Sequence, residues 1–345
     1  MNPLASMMHG RAQPGWARIG AVMLLPVLAG CRGVQSVLDP AADQSMAIDQ
    51  VWWILVSVCS VVYLAVLIAL AWALVRTRRR RLQAADGTAH DAGWRHALVA
   101  WSVLVVGLLT WFVVIAFLAD RKLHAGHPDL EVRITAKQWW WQVEYLSDHP
   151  QEQFVTANEL WLPRDRTTRI ELRSADVIHS FWVPALTGKE DLIPGYTNAL
   201  LVTPRRDGGY RGQCGEFCGL QHAHMALDVR VVDEAGFVDW QRRQRLPAPA
   251  SASASARRGE AVFNGAACLS CHAVRGTLAA SRLGPDLTHL ASRRTLAAGA
   301  LPMSRPALDR WLQDPQHYKP GNLMPAVPMS EQDRAALTDY LMGLR

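Results

Sequence analysis

The sequence predicts a multidomain membrane protein: a two-helix transmembrane hairpin, then an all-β domain, then a separate C-terminal domain behind a linker. Three observations carry this. Residues 51–75 hold no charge, and residues 94–119 hold only Arg95 and His96 at their start. From 130 to 239 the pattern changes to short runs of alternating apolar and polar residues, broken by Pro, Gly and Asp, the signature of strands with one buried face in a sandwich or barrel. Residues 244–258 then read QRLPAPASASASARR. Such a stretch buries no core and is expected to act as a flexible tether.

Composition agrees. A chain of 345 residues allows two or three domains, and 50% hydrophobic residues with 14 Trp is rich for a soluble protein. The net charge of +6 needs only a run of arginines beside a membrane span, and no helix-turn-helix, finger or RNA-binding motif is visible, so no nucleic-acid partner is expected. Each of the six cysteines, Cys31, Cys59, Cys214, Cys218, Cys268 and Cys271, has a reading other than a structural bridge.

In chain order, residues 1–30 read as an export signal, with Arg11 and Arg18 before an apolar run. The run ends in Leu-Ala-Gly-Cys31, which resembles a bacterial lipobox and implies a lipid on Cys31; a simple or uncleaved signal is the alternative. After an external segment, 31–50, comes the hairpin, 51–119. At about 1.5 Å per residue, either run exceeds a hydrocarbon core of ~30 Å. The loop carries Arg76, Arg78, Arg79, Arg80, Arg81 and Arg95 against Asp86 and Asp91, which places it in the cytoplasm and both flanking segments outside. Cys59 reads as a buried free thiol within the first span.

The β domain spans 120–243. Near its start, QWWW at 138–141 sets three tryptophans in a row. Consecutive strand residues face opposite ways, so one or two are expected to be exposed. Its densest chemistry is CGEFCGLQHAHM at 214–225, with His179 upstream in DVIHSFWVP at 176–184. Thiolate, imidazole and thioether are soft ligands that select copper over magnesium, calcium or manganese. A disulfide between Cys214 and Cys218 and a zinc site are the alternatives that spacing leaves open. In the last domain, 259–345, CLSCH at 268–272 is the c-type haem attachment signature, with Cys268 and Cys271 as thioether positions and His272 as proximal ligand. Met303, Met324, Met329, Met342, His289 and His317 are candidate sixth ligands.

The stretch 214–225, together with the Asp-Val-x-His-Ser segment, resembles the two-copper (CuA) motif of subunit II of haem-copper cytochrome c oxidases, from Gln50 to about Asp239. The resemblance implies a cupredoxin-like Greek-key barrel with His179, Cys214, Cys218, His222 and Met225 as copper ligands. It also implies that Glu216 binds through its carbonyl, while its side chain serves a magnesium ion shared with subunit I. Trp139 would then mark the surface where electrons enter. His224 has no counterpart among the ligands. The segment from Gly259, with GPDL at 284–287 and KPGNLMP at 319–325, resembles an all-α class I cytochrome c, which implies Met324 as sixth ligand and Pro285 as the residue orienting His272.

Three functions follow as readings. The first is the electron-input subunit of a terminal oxidase, fused to its own cytochrome as in caa-type oxidases. Its partners would be subunit I, the other oxidase subunits and an external cytochrome c, and its setting the bacterial inner membrane, with copper and haem on the outer face. The second, a quinol oxidase subunit II, lacks copper ligands. The third, a membrane-tethered copper carrier, needs neither two bridging thiols nor a covalent haem. In the first reading oxygen is reduced in subunit I with proton translocation, and the tether lets the haem domain swing between donor and barrel.

Overall fold

The computed structural model describes residues 33–82, 91–124 and 126–345. The export signal and Cys31 lie outside the described residues.

Two helices open the fold, α1 (Asp43–Leu82) and α2 (Asp91–Leu123). Apolar stretches within them, Asp43–Arg79 and Arg95–Leu123, are long enough to cross a membrane, and their most apolar windows are not covered by the rest of the chain. An apolar surface of that size is costly in water and needs lipid or protein around it. Cys59, expected to be a buried free thiol, is a free thiol exposed on α1.

The β domain holds two five-stranded sheets. One orders β3 (Phe154–Ala157), β2 (Trp140–Leu146), β1 (Leu130–Lys137), β5 (Thr168–Ser174) and β8 (Asn198–Val202); the other orders β4 (Glu159–Pro163), β10 (Ala226–Val232), β9 (Gly208–Cys214), β6 (His179–Trp182) and β7 (Glu190–Leu192). Inward residues alternate as the period-two pattern requires: Val132, Ile134 and Ala136 on β1 are fully buried, and Ile170 and Leu172 on the parallel neighbour β5 join them. Helix α3 (Glu234–Arg245), N-capped by Asp233, follows β10, and its Phe237 and Trp240 join an aromatic cluster with Tyr145 and Phe154. Before the barrel's first strand, residues 33–42 already lie along it: Arg206 pairs with Asp39, and Ala41 N–H donates to the Ala185 carbonyl.

The irregular connection is shorter than the composition suggests. Helix α3 continues to Arg245 and α4 (Ala254–Gly265) begins early because the Ser253 side chain accepts from Ala256 N–H. Only 246–253 remains non-helical, and it lies on the C-terminal domain, where Ala248 N–H donates to the Arg275 carbonyl. That domain is helical: α4, the single turn α5 (Cys268–Cys271), α6 (Arg305–Gln313), α7 (Pro315–Tyr318) and α8 (Glu331–Gly343), with a two-residue ribbon of β11 (Thr295–Leu296) and β12 (Leu301–Pro302). Helices α4 and α8 cross so closely that a Cβ at Gly259 would meet the Ala336 carbonyl oxygen at 2.0 Å.

On the barrel, Glu171 sits between Arg133, at 2.8 Å, and Arg173, at 2.5 Å. The Arg133 hydrogen bond holds its carboxyl below the ordinary value. A depressed carboxylate stabilises the fold above its unfolded pKa and loses that contribution as pH falls through the folded pKa. Glu171→Gln should therefore lower stability by about 1–2 kcal/mol at neutral pH, with the deficit shrinking below about pH 4. Denaturation midpoints of the full chain across pH test this; a deficit independent of pH would assign the effect to packing.

Candidate metal and haem centres

The pairing of β6 with β9 builds the first centre. Phe181 opposes Cys214 across the ladder, which brings His179, at the start of β6, beside the thiol that ends β9. The loop 215–225 then folds back, and Met225 O accepts from Cys214 N–H at 3.1 Å. His179, Cys214 and Cys218 are all buried, and their ligating atoms lie within 4.8 Å of one another. Cys214 Sγ is 3.8 Å from His179 Nδ1 and 3.1 Å from the Glu216 carbonyl oxygen. Cys218 Sγ is 3.7 Å from His222 Nδ1 and 3.9 Å from Met225 Sδ. All six residues singled out in the sequence therefore converge.

The two sulfurs are 3.7 Å apart, far beyond the ~2.05 Å of a disulfide, and both thiols are free. Each sulfur–imidazole separation is shorter than two metal–ligand bonds end to end, about 4.3 Å, so one ion can touch both atoms. The donor chemistry fits a soft metal: two thiolates, two imidazoles and a thioether, with no carboxylate oxygen among them. Cys214 is held well below the ordinary thiol range, first by its contact with Cys218, whose own thiol is pushed up in return. Burial works against a charged His179, but Asp176 and Cys214 together outweigh it; Asp176 Oδ1 lies 2.8 Å from His179 Nε2, which leaves Nδ1 toward the sulfurs. A second group orienting a ligating imidazole in this way is usual at metal sites. The Glu216 side chain points to solvent, and so does that of His224.

In the second centre, α5 presents Cys268 and Cys271 on one helical turn, and His272 N–H donates to the Cys268 carbonyl at 3.0 Å. His272 Nδ1 lies 2.8 Å from the Pro285 carbonyl oxygen, so Nδ1–H donates there and Nε2 is left as the ligating atom. Burial lowers the imidazole pKa and favours that neutral form. Gly284 is required beside it, since a Cβ would meet His272 Cε1 at 2.7 Å. Two free thiols and an oriented neutral imidazole fit covalent haem. Met324 borders the same core cluster, with its carbonyl taken by Gln316. Two of the alternative ligands are engaged elsewhere: His289 contacts the Leu246 carbonyl, and His317 packs edge-on to Tyr318.

One expectation is corrected. Trp139, expected at the surface, is only 7% exposed, because the C-terminal domain rests on it; Trp141 is fully buried in the barrel core, and Trp140 is half-buried under Lys137. Lys319, 3% exposed, donates to the carbonyls of Trp139, at 2.7 Å, and His224, at 2.8 Å. Gln221 Nε2 donates to the Pro320 carbonyl and Ala226 N–H to the Ala298 carbonyl. A buried pair, Arg293 and Glu159, crosses the same interface at 3.7 Å, and Arg294 reaches Asp228 at 3.3 Å. Beneath Lys319, the Trp139 indole N–H and Gln138 Nε2 both donate to the Cys218 carbonyl, at 2.9 and 2.7 Å. Lys319 was visible only as the first residue of KPGNLMP; nothing in the sequence marks it as buried.

Comparison with known proteins follows this geometry. Residues 146–232 match the family of the cytochrome c oxidase subunit II periplasmic domain, and residues 256–345 match the cytochrome c family. Cytochrome c oxidase subunit 2 of Alkalihalophilus pseudofirmus is 31% identical over 333 residues, covering 92% of this chain and 94% of that relative. That of Bacillus subtilis is 29% identical, covering 96% and 98%. Among solved structures, the periplasmic domain of subunit II of cytochrome oxidase (CoxB) of Bradyrhizobium japonicum is 31% identical, covers 35% of this chain and 96% of its own, and superposes with a TM-score of 0.33. An alignment that runs nearly end to end, through both the copper-type loop and the haem signature, means that the chain belongs to the cytochrome c oxidase subunit 2 family and carries a cytochrome c domain.

Proposed function

We propose that this chain is the electron-input subunit of a haem-copper terminal oxidase. It accepts electrons from an external donor at a covalent haem c, passes them to a dinuclear copper centre and hands them to subunit I, where oxygen is reduced to water with proton translocation. The carrying observation is the convergence of two free thiols, two imidazoles, a thioether and one carbonyl in a loop on which a haem-attachment domain is docked.

In this reading His179, Cys214, Glu216 (through its carbonyl), Cys218, His222 and Met225 hold the coppers, while Cys268, Cys271, His272 and Met324 hold the haem. When bound, the two groups supply one-electron redox centres at low reorganisation cost. The protein's part is to fix their ligands and exclude water: the Asp176 carboxylate sets the His179 ring, the Pro285 carbonyl sets His272, and Trp139 covers the Cys218 carbonyl. Exposed Phe217, 76% accessible, and the solvent-facing Glu216 leave a face on the copper loop for subunit I and for a shared magnesium ion. The uncovered apolar helices support two membrane crossings with copper and haem on the outer side, and domain limits at 120–243 and 259–345 belong to the same reading.

Metal and haem analysis of the full chain tests the assignment, with two coppers and one covalent haem expected. Cys218→Ser should abolish the two-copper spectrum and leave covalent haem in place, since the donor sets lie in separate domains; a normal copper spectrum in that variant would sink the ligand set. Met324→Ala should keep the haem attached and lower its reduction potential, because the thioether bonds remain while the sixth ligand is lost. An unchanged potential would move that ligand to another residue.

A further inference from the structure

Lys319 is buried at the one place where the haem domain meets the copper loop. An ammonium offers three N–H donors and no acceptor, and all three have carbonyl partners: Trp139 and His224 on the barrel, and Ala297 at 3.1 Å within its own domain. The two barrel carbonyls belong to different parts of the copper site, one to the aromatic segment that covers Cys218 and the other to the loop between His222 and Met225. Pro320 and Gly321 continue the contact. The Pro320 carbonyl accepts from Gln221, and a Cβ at Gly321, whose φ is +81°, would lie 3.1 Å from Leu220 Cδ1 and 3.6 Å from the Trp139 ring.

The turn that supplies the third carbonyl is itself unusual. Ala297 and Ala298 both take left-handed backbone angles, with φ of 54° and 57°, a conformation that residues with a Cβ adopt rarely. The surroundings hold them there. Ala297 O accepts from Lys319, Ala298 O accepts from Ala226 N–H on the barrel, and a Cβ at Gly299 would meet Ala226 Cβ at 2.8 Å. Strained turns of this kind persist where contacts over-determine them.

We infer that Lys319 is the positioning residue for electron transfer between the two domains, locking the loop that carries Met324 onto the carbonyls of Trp139 and His224. This rests on the haem and copper reading above. The lock leaves a continuous bonded route: along the backbone from Met324 to Lys319, across its N–H to the Trp139 carbonyl, and across the Trp139 indole N–H to the Cys218 carbonyl. A single electron crosses, one oxidation on the haem side balancing one reduction on the copper side, with no bond made or broken and no proton moved.

The test uses the assembled oxidase and follows copper reduction after rapid reduction of the haem. Lys319→Met should keep both absorption spectra and both reduction potentials, yet slow the transfer by about tenfold or more, because only the fraction of molecules that is docked reacts. The slowed transfer should become viscosity-dependent, which a purely structural defect would not produce. Lys319→Gln, which retains two N–H donors, should fall between, and Lys137→Met should have little effect, since Lys137 crosses the interface only to the Arg282 carbonyl. In the full chain free of metal, backbone amides at 138–141 and 222–226 should exchange faster in Lys319→Met than in wild type. Wild-type rates and exchange in both Lys319 variants would overturn the positioning role and leave the electron-input reading standing. A wild-type protein that lacks copper or passes no electron from haem to copper would overturn that reading instead.

Discussion

The pairing of β6 with β9 is the constraint on which the copper-type centre depends. It is a backbone ladder, so it positions His179 against Cys214 without help from a metal, and the loop that follows needs only to return Cys218, His222 and Met225 to the same point. The return is secured by backbone as well, through Cys214 N–H to the Met225 carbonyl and through the two side chains that donate to the Cys218 carbonyl. A site held this way loses little conformational freedom when it is loaded, because the ordering has been done by the fold. The burial of His179, Cys214 and Cys218 removes water from around the sulfurs.

Charge burial is the cost that the docked haem domain must meet. Burial pushes the Lys319 ammonium down to about 7, against a smaller opposing attraction from Cys218, and three carbonyls take its N–H donors. Arg293 is similarly buried, with Glu159 close but not hydrogen-bonded to its Nε. Buried pairs of this type contribute little net stability, yet removing one partner costs about 3–5 kcal/mol. They therefore penalise misaligned docking more than they reward docking itself. Alanine turns with positive φ add about 1–3 kcal/mol of strain per residue, offset only where the Lys319 and Ala226 contacts form. The interface is in this sense selective for one pose.

Much of this was legible in the sequence, and the reasons differ by feature. The strands were legible because alternation at 130–136, 169–173, 199–203 and 227–232 reflects sheets with one buried face, and those runs fall on β1, β5, β8 and β10. The donor set was legible because thiol, imidazole and thioether have few other reasons to cluster so tightly. What stayed hidden involves contact between domains. Trp139 was expected at the surface from the family resemblance, which says nothing about the chain's own second domain resting on that segment. The Ala/Ser stretch looked like a longer tether because composition does not register Ser253 as a helix cap. Lys319 carries no sign of burial, since a lysine solvated by backbone carbonyls needs no acidic partner in the sequence.

The tether and the docked pose are compatible once magnitudes are compared. A short flexible connection gives the haem domain an effective concentration near the barrel of about 1 mM. An interface with a dissociation constant of only ~10 μM would then be occupied about 99% of the time, which corresponds to under 3 kcal/mol of docking advantage. A handful of backbone carbonyl contacts and two charge pairs can supply that much, and a weak interface is enough because the linker has already removed the translational cost of association. The consequence falls on Trp139. With that ring at 7% exposure under the chain's own Gly321 and Lys319, the face of the barrel beside the copper-type loop is filled from within by the chain's own C-terminal domain.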